Sequence, residues 1–138
     1  MSRSGYSDDC EYLELYRNAV DRAIKGKRGQ AFLKEMAAAL DAMPVKRLIA
    51  AELIAEDGEV CAIGSVCKAR GVDVSKIDPF DPDGVADMVG IARALAAEIE
   101  YINDDGEELY GKIGETPEQR WVRVRLWVDE QVKGVSRG

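Results

Sequence analysis

The chain has 138 residues, with 19 Lys and Arg against 26 Asp and Glu, and it contains no histidine. Its length predicts a single globular domain, 1–138, and its hydrophobic content of 46% is typical of a folded protein. The missing histidine excludes a Ser-His-Asp or Cys-His catalytic pair, a Cys₂His₂ zinc site and a haem held by histidine. The net charge of −7 is opposite in sign to that of most nucleic-acid-binding domains.

The charge is distributed unevenly along the chain. Residues 48–115 hold sixteen Asp and Glu against five Lys and Arg, a net charge of −11, whereas 1–47 and 116–138 each carry +2. Two interpretations follow. The slightly basic ends pack on the acidic middle and partly neutralise it, or the middle forms an acidic face for a basic partner.

The apolar runs and the cysteines predict a cytoplasmic protein. No apolar run approaches the length of about 20 residues that a membrane span needs, and residues 1–9 lack the apolar stretch of a signal peptide. Three cysteines, Cys10, Cys61 and Cys67, are an odd number, which argues against a disulfide framework. We interpret them as small buried apolar residues, with a reactive thiol near Lys68 as the alternative.

Two helices are predicted at the start of the chain. Apolar residues at three- and four-residue spacings over 12–24 predict a first helix that ends near Gly26, with Asp8 and Glu11 as a capping box before it. A second apolar face over 32–43, rich in Ala and Leu, predicts the next helix.

A dense basic patch separates these two helices. Lys25, Lys27 and Arg28 alternate with Gly26 and Gly29 directly before the second helix. Such a patch can hold an anion at a helix N-terminus, although it lacks the glycine spacing of a P-loop. We interpret it as a solvated turn between helices, and an anion site at the three cations is the alternative.

The segment 48–62 is open to two interpretations. Asp57-Gly58 between apolar runs is typical of a hairpin, so we predict a short two-stranded ribbon. The first run, 48–55, also fits a helix. After it, residues 62–70 predict a short helix closed by Gly71.

The last helix has the clearest start. Thr116-Pro117-Glu118-Gln119 is a capping box with proline at the first helical position. One apolar face of the helix comprises Trp121, Val124, Val128, Val132 and Val135. Residues 122–126 alternate as a strand does, but the cap and the helical stripe favour a helix. Trp121 and Trp127 fall on different faces, so an exposed Trp at a homo-oligomer interface is a further prediction.

Residues 83–103 carry the most informative pattern. Ala86 precedes Gly90 by four residues, which suits two closely crossing helices with a sharp turn between them. Leu95 and Ile99 continue a stripe that packs back on the first helix. The alternative is one continuous helix that tolerates Gly90. Together the elements predict a mainly α fold, a compact helical domain, with α+β as the alternative.

This segment resembles the helix-turn-helix of phage-repressor-like regulators. The resemblance is carried by Ala86, Gly90, Ile91, Arg93, Leu95, Ile99 and Glu100. In that family the second helix enters the major groove of DNA. The resemblance assigns its outward positions to Ala92, Ala94, Ala97, Glu98 and Tyr101. Alanine cannot hydrogen-bond a base and carboxylates repel phosphate, so we predict the shape without DNA recognition.

The whole chain also resembles a group of small uncharacterised phage and prophage proteins. The segments that carry this resemblance are 1–9, 26–33 and 115–121. It implies a role in phage biology, where small acidic proteins bind host factors. It brings no activity, so no catalytic residue is assigned.

A partner-binding surface is predicted on the second helix of the pair and just after it. It comprises Glu98, Glu100, Tyr101, Asp104 and Asp105, with Tyr101 as the aromatic anchor. The run 103–108 has the carboxylates and glycine of a calcium loop without its register, so we interpret it as a solvated acidic turn. No metal or cofactor is predicted.

The resulting functional prediction is a non-enzymatic, acidic protein-binding module of phage or prophage origin that modulates a host or defence factor. Its predicted partner is a protein with a basic surface, while nucleic acid and membrane are not expected to bind. The alternative is a helix-turn-helix DNA-binding regulator.

Overall fold

In the computed structural model, which describes residues 13–109 and 114–136, the chain forms six helices and the predicted mainly α fold is confirmed. The helices are α1 (Leu13–Lys25), α2 (Lys27–Ala42), α3 (Ala62–Arg70), α4 (Pro82–Val89), α5 (Arg93–Leu109) and α6 (Pro117–Ser136). None of the helices in these described ranges is long and apolar enough to span a bilayer. The capping box predicted at Asp8 and Glu11 lies outside the described residues.

A single residue, Gly26, joins α1 to α2. Its N–H donates to the carbonyl of Arg22 at 3.0 Å, and its own carbonyl accepts from Gln30 N at 2.9 Å. The two helices then approach so closely that a Cβ on Gly29 would lie 1.8 Å from the carbonyl oxygen of Ala23. The predicted end of the first helix is confirmed, but the predicted turn is shorter than expected because α2 already begins at Lys27.

The predicted β-ribbon at 48–62 is not formed in the described part of the chain. A single antiparallel bridge joins Ile54 to Val60, around a tight turn in which Gly58 has a φ of 88°. The predicted turn is therefore present, whereas the predicted two-stranded ribbon is not confirmed. Residues 48–55 are not helical either.

The physical reason lies in where the backbone groups of this segment bond. Leu48 N donates to the carbonyl of Pro117 at 3.0 Å, and the carbonyl of Ile49 accepts from the side chain of Asn103 at 2.8 Å. These two partners belong to distant parts of the chain. Three backbone bonds do join the two arms, from Ala55 N to the carbonyl of Glu59 at 2.8 Å, from Cys61 N to that of Leu53 at 3.1 Å and from Ile49 N to that of Val60 at 2.9 Å, but they form one bridge rather than a regular ladder. Leu48 and Leu53 are buried and anchor the segment in the core.

The helix α3 has the predicted bounds. At its start, Gly64 N donates to the Sγ atom of Cys61 at 3.3 Å. At its end, Gly71 adopts the left-handed conformation, with a φ of 72°. Glycine at this position avoids the steric strain of a side chain.

The predicted helix-turn-helix shape is confirmed. The helix α4 ends at Gly90, which has a φ of 80° and donates its N–H to the carbonyl of Ala86 at 2.8 Å. After a short turn, α5 begins at Arg93 and packs against α4. Residues 103–108, predicted to form a solvated acidic turn, are instead helical and belong to α5.

The helix α5 lies at the centre of the fold, in contact with α1, α3, α4 and α6. Residues 95–100 are all buried, so this helix has no solvent-facing side along that stretch. Helix α6 packs mainly on α2. Its capping box is confirmed by reciprocal bonds, in which Thr116 N donates to Gln119 Oε1 at 2.9 Å and Gln119 N donates to Thr116 Oγ1 at 3.1 Å.

Candidate functional site

Two carboxylates of the predicted partner-binding surface are buried. Glu98 is 3% exposed and Glu100 is 1% exposed. The expectation that they face solvent is wrong, because α5 is surrounded by other helices rather than lying at the surface. The carboxylate of Glu98 accepts a hydrogen bond from Arg17 on α1 at 2.8 Å, so it joins two helices within the chain.

The other members of that predicted surface are half-buried. Asp104 accepts hydrogen bonds from Ala51 N at 3.2 Å and from the side-chain amide of Asn103 at 2.9 Å. Tyr101 packs against the hydrophobic core, and Asp105 is partly exposed. The five residues therefore do not form one continuous acidic face, and partner binding by Tyr101, Asp104 and Asp105 stays a prediction.

Sequence reasoning missed the structural role of Asn103. This side chain is 1% exposed, accepts a hydrogen bond from Ala62 N at 3.0 Å and donates one to the Ile49 carbonyl at 2.8 Å. It thus connects α5 to the start of α3 and to the irregular segment at 48–55. An asparagine in a run of acidic residues carries no local signal for such a role.

The arginines of α6 are engaged within the chain. Arg125 pairs with Asp41 on α2 at 2.8 Å, and Arg120 donates to the carbonyl of Leu48 at 3.1 Å. Arg123 is buried and pairs with Glu115 at 2.6 Å. Arg123 therefore pairs with a carboxylate of the acidic middle of the chain, whereas Arg125 pairs with one of the N-terminal part.

The predicted basic patch lies on the surface. Lys25 is the last residue of α1, and Lys27 and Arg28 lie in the first turn of α2. All three are exposed, and the N-cap residue Gly26 offers no side-chain hydrogen bond to the helix. Anion binding by this patch stays a prediction.

The acidity that the sequence concentrates in its middle is exposed mainly on the connection before α4 and on α4 itself. The exposed carboxylates there are Asp73, Asp78, Asp81, Asp83 and Asp87. Phe80 is exposed among them. Within the described residues, Arg93 forms an ion pair with one of these carboxylates, that of Asp83, at 3.2 Å. Carboxylates therefore outnumber the two exposed cations, Lys76 and Arg93, on this part of the described surface.

An apolar strip lies on the outer face of α6. Val122 and Leu126 are 52% and 59% exposed and are four residues apart, so they are neighbours on the helix surface. Glu118 and Glu130 continue the same row at both ends and are exposed. We call these four residues the α6 strip. They line a depression of about 380 Å³, to which the buried Trp127 also contributes.

A second depression, of about 510 Å³, lies between the end of α2, the Asp57-Gly58 turn and α3. We call it the α2–α3 groove. Its apolar lining includes Met43, Val45 and Val60, and its polar lining includes Arg47 and Lys68.

The acidic side chains and the cysteines were the candidates for metal binding and thiol chemistry. The described residues contain no group of three or more Cys, Asp or Glu side chains placed to hold a metal ion. Burial raises the pKa of the Cys67 thiol to about 11, so it is protonated at neutral pH. Comparison of the chain with known families, with curated proteins and with solved structures returns no match.

Proposed function

We propose that this protein is a non-enzymatic protein-binding module of phage or prophage origin that binds a basic partner and modulates a host or defence factor. The observation that carries the proposal is the α6 strip, in which an exposed aliphatic pair lies between two exposed carboxylates. The phage origin is supported by the resemblance of the sequence alone.

The apolar part of the strip supplies the affinity. Single exposed leucines are normal on protein surfaces, but Val122 and Leu126 are adjacent and border a depression of about 380 Å³ with Trp127 in its lining. Covering such a pair removes apolar surface from water, at roughly 25 cal/mol for each Å². An aliphatic or aromatic side chain of a partner can fill the depression.

The charged ends of the strip select the partner. Glu118 and Glu130 are twelve residues apart on one helix, which is about 18 Å along its axis. Among the described residues, Glu118 has a long contact of 3.6 Å with Arg47. A partner with apolar residues between two Lys or Arg side chains at about this separation, such as a cationic amphipathic helix, matches both features. The exposed aspartates near Phe80 favour the approach of the same kind of partner.

We also propose that the protein acts in the cytoplasm. Cys61 and Cys67 are buried free thiols rather than a disulfide. Reduced cysteines are typical of that compartment.

Affinity purification from bacterial lysate, with matched variants, tests the proposed surface. Leu126→Glu and Glu130→Lys are expected to lose a basic protein that the unchanged chain captures. Leu15→Glu, at an exposed leucine of α1, and Glu56→Lys, at an exposed acid before the Asp57-Gly58 turn, are expected to retain it. Calorimetry with the purified partner should then show binding at least about tenfold weaker for Leu126→Glu. Identical captured proteins for all five chains would overturn the α6 strip as the binding surface.

Self-association through the α6 strip is the competing outcome. Two copies would bring acidic ends near one another, which disfavours pairing. Light scattering at two protein concentrations decides between the two. A dimer that Leu126→Glu dissociates would replace the basic partner with a second copy of the chain.

A DNA-binding regulator remains the second candidate, because α4, Gly90 and α5 form the helix-turn-helix shape. The burial of α5 over 95–100 and the internal pairing of the α6 arginines argue against it. A gel shift on phage genomic fragments at about 50 mM salt, where electrostatic binding is strong, tests it. We expect no shift, and a salt-sensitive shift would favour the regulator.

A further inference from the structure

The α2–α3 groove is the larger of the two depressions described above, and it meets the α6 strip at the 3.6 Å contact between Arg47 and Glu118. Its volume of about 510 Å³ is in the range of small-molecule sites, roughly 300–1,000 Å³. Ala39, Ala42 and Met43 from the end of α2 form one side, and Val60 lies across from them. Val45 projects from the loop after α2 and is 59% exposed. The lining is therefore mainly aliphatic.

The two cations of the groove have different surroundings. Arg47 is paired with Glu59 at 3.0 Å and with Glu118 at 3.6 Å, so carboxylates of the chain neutralise its charge. The ammonium of Lys68 donates to the carbonyl of Gly58 at 3.0 Å, and the described residues give it no ion pair. This bond uses one of the three donors of Lys68 and holds its charge at the edge of the aliphatic lining.

We propose that the α2–α3 groove binds a small organic anion with an aliphatic body, whose carboxylate pairs with Lys68. The aliphatic body replaces water on Met43 and Val45, and the carboxylate gains a charge-assisted hydrogen bond from Lys68. This binding does not require a partner protein, and Lys68 is not part of the α6 strip.

The carboxylate of Asp57 opposes the binding of an anion in the groove. Asp57 also lines the groove, and its Oδ1 accepts from Glu59 N at 3.0 Å. An anion bound at Lys68 is repelled by this carboxylate, and a cation is repelled by the Lys68 ammonium. Neutralising Asp57 and neutralising Lys68 should therefore change the affinity for an anion in opposite directions.

Octanoate and octylammonium, two probes with the same chain and opposite charge, test the site in the full chain. The chain has four methionines, and Met43 lines the groove whereas Met36 is buried in the core. Methyl-labelled methionine therefore gives an NMR reporter that does not depend on any activity. We expect octanoate to shift the Met43 resonance in a saturable way and octylammonium to leave it nearly unchanged.

Three variants complete the test. Lys68→Gln should weaken octanoate binding about tenfold, which is the change in Kd expected when one hydrogen bond to a charged group is lost. Asp57→Asn should strengthen it, and Lys34→Gln, at an exposed lysine of α2 outside the groove, should leave it unchanged. The proposal is overturned if octanoate leaves Met43 unshifted, if octylammonium binds equally well, or if Lys68→Gln binds octanoate like the unchanged chain.

Discussion

Arg123 on α6 holds Glu115 in a bidentate ion pair, with Nε 2.6 Å from Oε2 and Nη2 2.9 Å from Oε1. The two side chains are 7% and 0% exposed. The remaining nitrogen, Nη1, donates to the carbonyl of Ile102 on α5 at 2.6 Å. One guanidinium therefore connects the residue before the α6 cap to the second half of the central helix.

Removal of this guanidinium is predicted to be strongly destabilising. Arg123→Met removes the bidentate partner of the shielded Glu115 carboxylate, whose contact with Arg120 is longer, at 3.6 Å. Breaking one partner of a buried pair costs about 3–5 kcal/mol of unfolding free energy, which urea denaturation measures. The exposed pair of Arg93 and Asp83 provides the control, because Arg93→Met should cost less than about 1 kcal/mol.

A double variant separates the ion pair from packing. Glu115→Gln combined with Arg123→Met removes both charges and should recover part of the lost stability. If Arg123→Met is no more destabilising than Arg93→Met, the pair does not connect α5 and α6 as described.

Replacing either Gly29 or Gly64 with alanine is predicted to destabilise the fold, although both glycines lie in helices. A Cβ on Gly29 would lie 1.8 Å from the carbonyl oxygen of Ala23, and a Cβ on Gly64 would lie 1.9 Å from that of Leu53. Glycine to alanine in a helix normally stabilises by about 1 kcal/mol. Here the opposing atoms are backbone, so we expect each variant to lose at least about 2 kcal/mol or to fail to fold. Circular dichroism during urea denaturation measures this loss.

Gly26 is the matched control for that prediction. Its φ is −68°, and the nearest atom to an added Cβ is 3.4 Å away. Gly26→Ala should therefore change stability far less than Gly29→Ala. Equal effects at both positions would contradict the close approach of α1 and α2.

The pKa of Asp41 is predicted to depend on Arg125. Hydrogen bonds from the Arg125 guanidinium lower the pKa of this carboxyl below its ordinary value of 3.8, against a smaller opposing effect of desolvation. A lowered pKa in the folded state contributes stability above the unfolded pKa, and this stability is lost as the pH falls through the folded pKa. The effect on stability should be small because Asp41 is exposed, so NMR titration of the carboxyl is the better measurement.

Arg125→Gln should return the pKa of Asp41 to its ordinary range. Glu35, whose pKa is lowered by hydrogen bonds from Arg70, should be unaffected in the same variant. An unchanged pKa of Asp41 would show that the pair between α2 and α6 does not form in solution.

The buried cysteines are predicted to be unreactive in the folded protein. Burial raises the pKa of Cys67 to about 11, and the Sγ atom of Cys61 accepts a hydrogen bond from Gly64 N. In a Cys10→Ser background, a disulfide reagent at pH 8 should modify Cys61 and Cys67 only as fast as the protein unfolds. Rapid modification at low urea would favour the alternative of a reactive thiol.

The ends of the helices were largely predictable from sequence. The cap at Thr116 and the left-handed glycines Gly71 and Gly90 are signals that act within about one helical turn. The hairpin signal at Asp57-Gly58 identified the turn. It did not show that pairing stops at one bridge, since the N–H of Leu48 and the carbonyl of Ile49 bond to Pro117 and Asn103.

The candidate site was not predictable in the same way. Glu98 and Glu100 have the composition of a solvent-facing row, yet both are buried. The Arg17 partner of Glu98 lies 81 residues earlier in the chain. No local pattern reports such a contact. The α6 strip could not be recognised from the sequence, because valine and leucine are residue types that usually lie in the core.

The sequence by itself determined the helical class, the main helix boundaries and the sign of the charge, because caps, turns and net charge depend on nearby residues or on composition. The tertiary structure alone decided that α5 is the central helix, that its carboxylates are internal, and that the acidic surface lies near Phe80 and at the ends of the α6 strip. Burial depends on contacts between residues far apart in the chain. The same amphipathic pattern can therefore face the core or the solvent until the helices have packed.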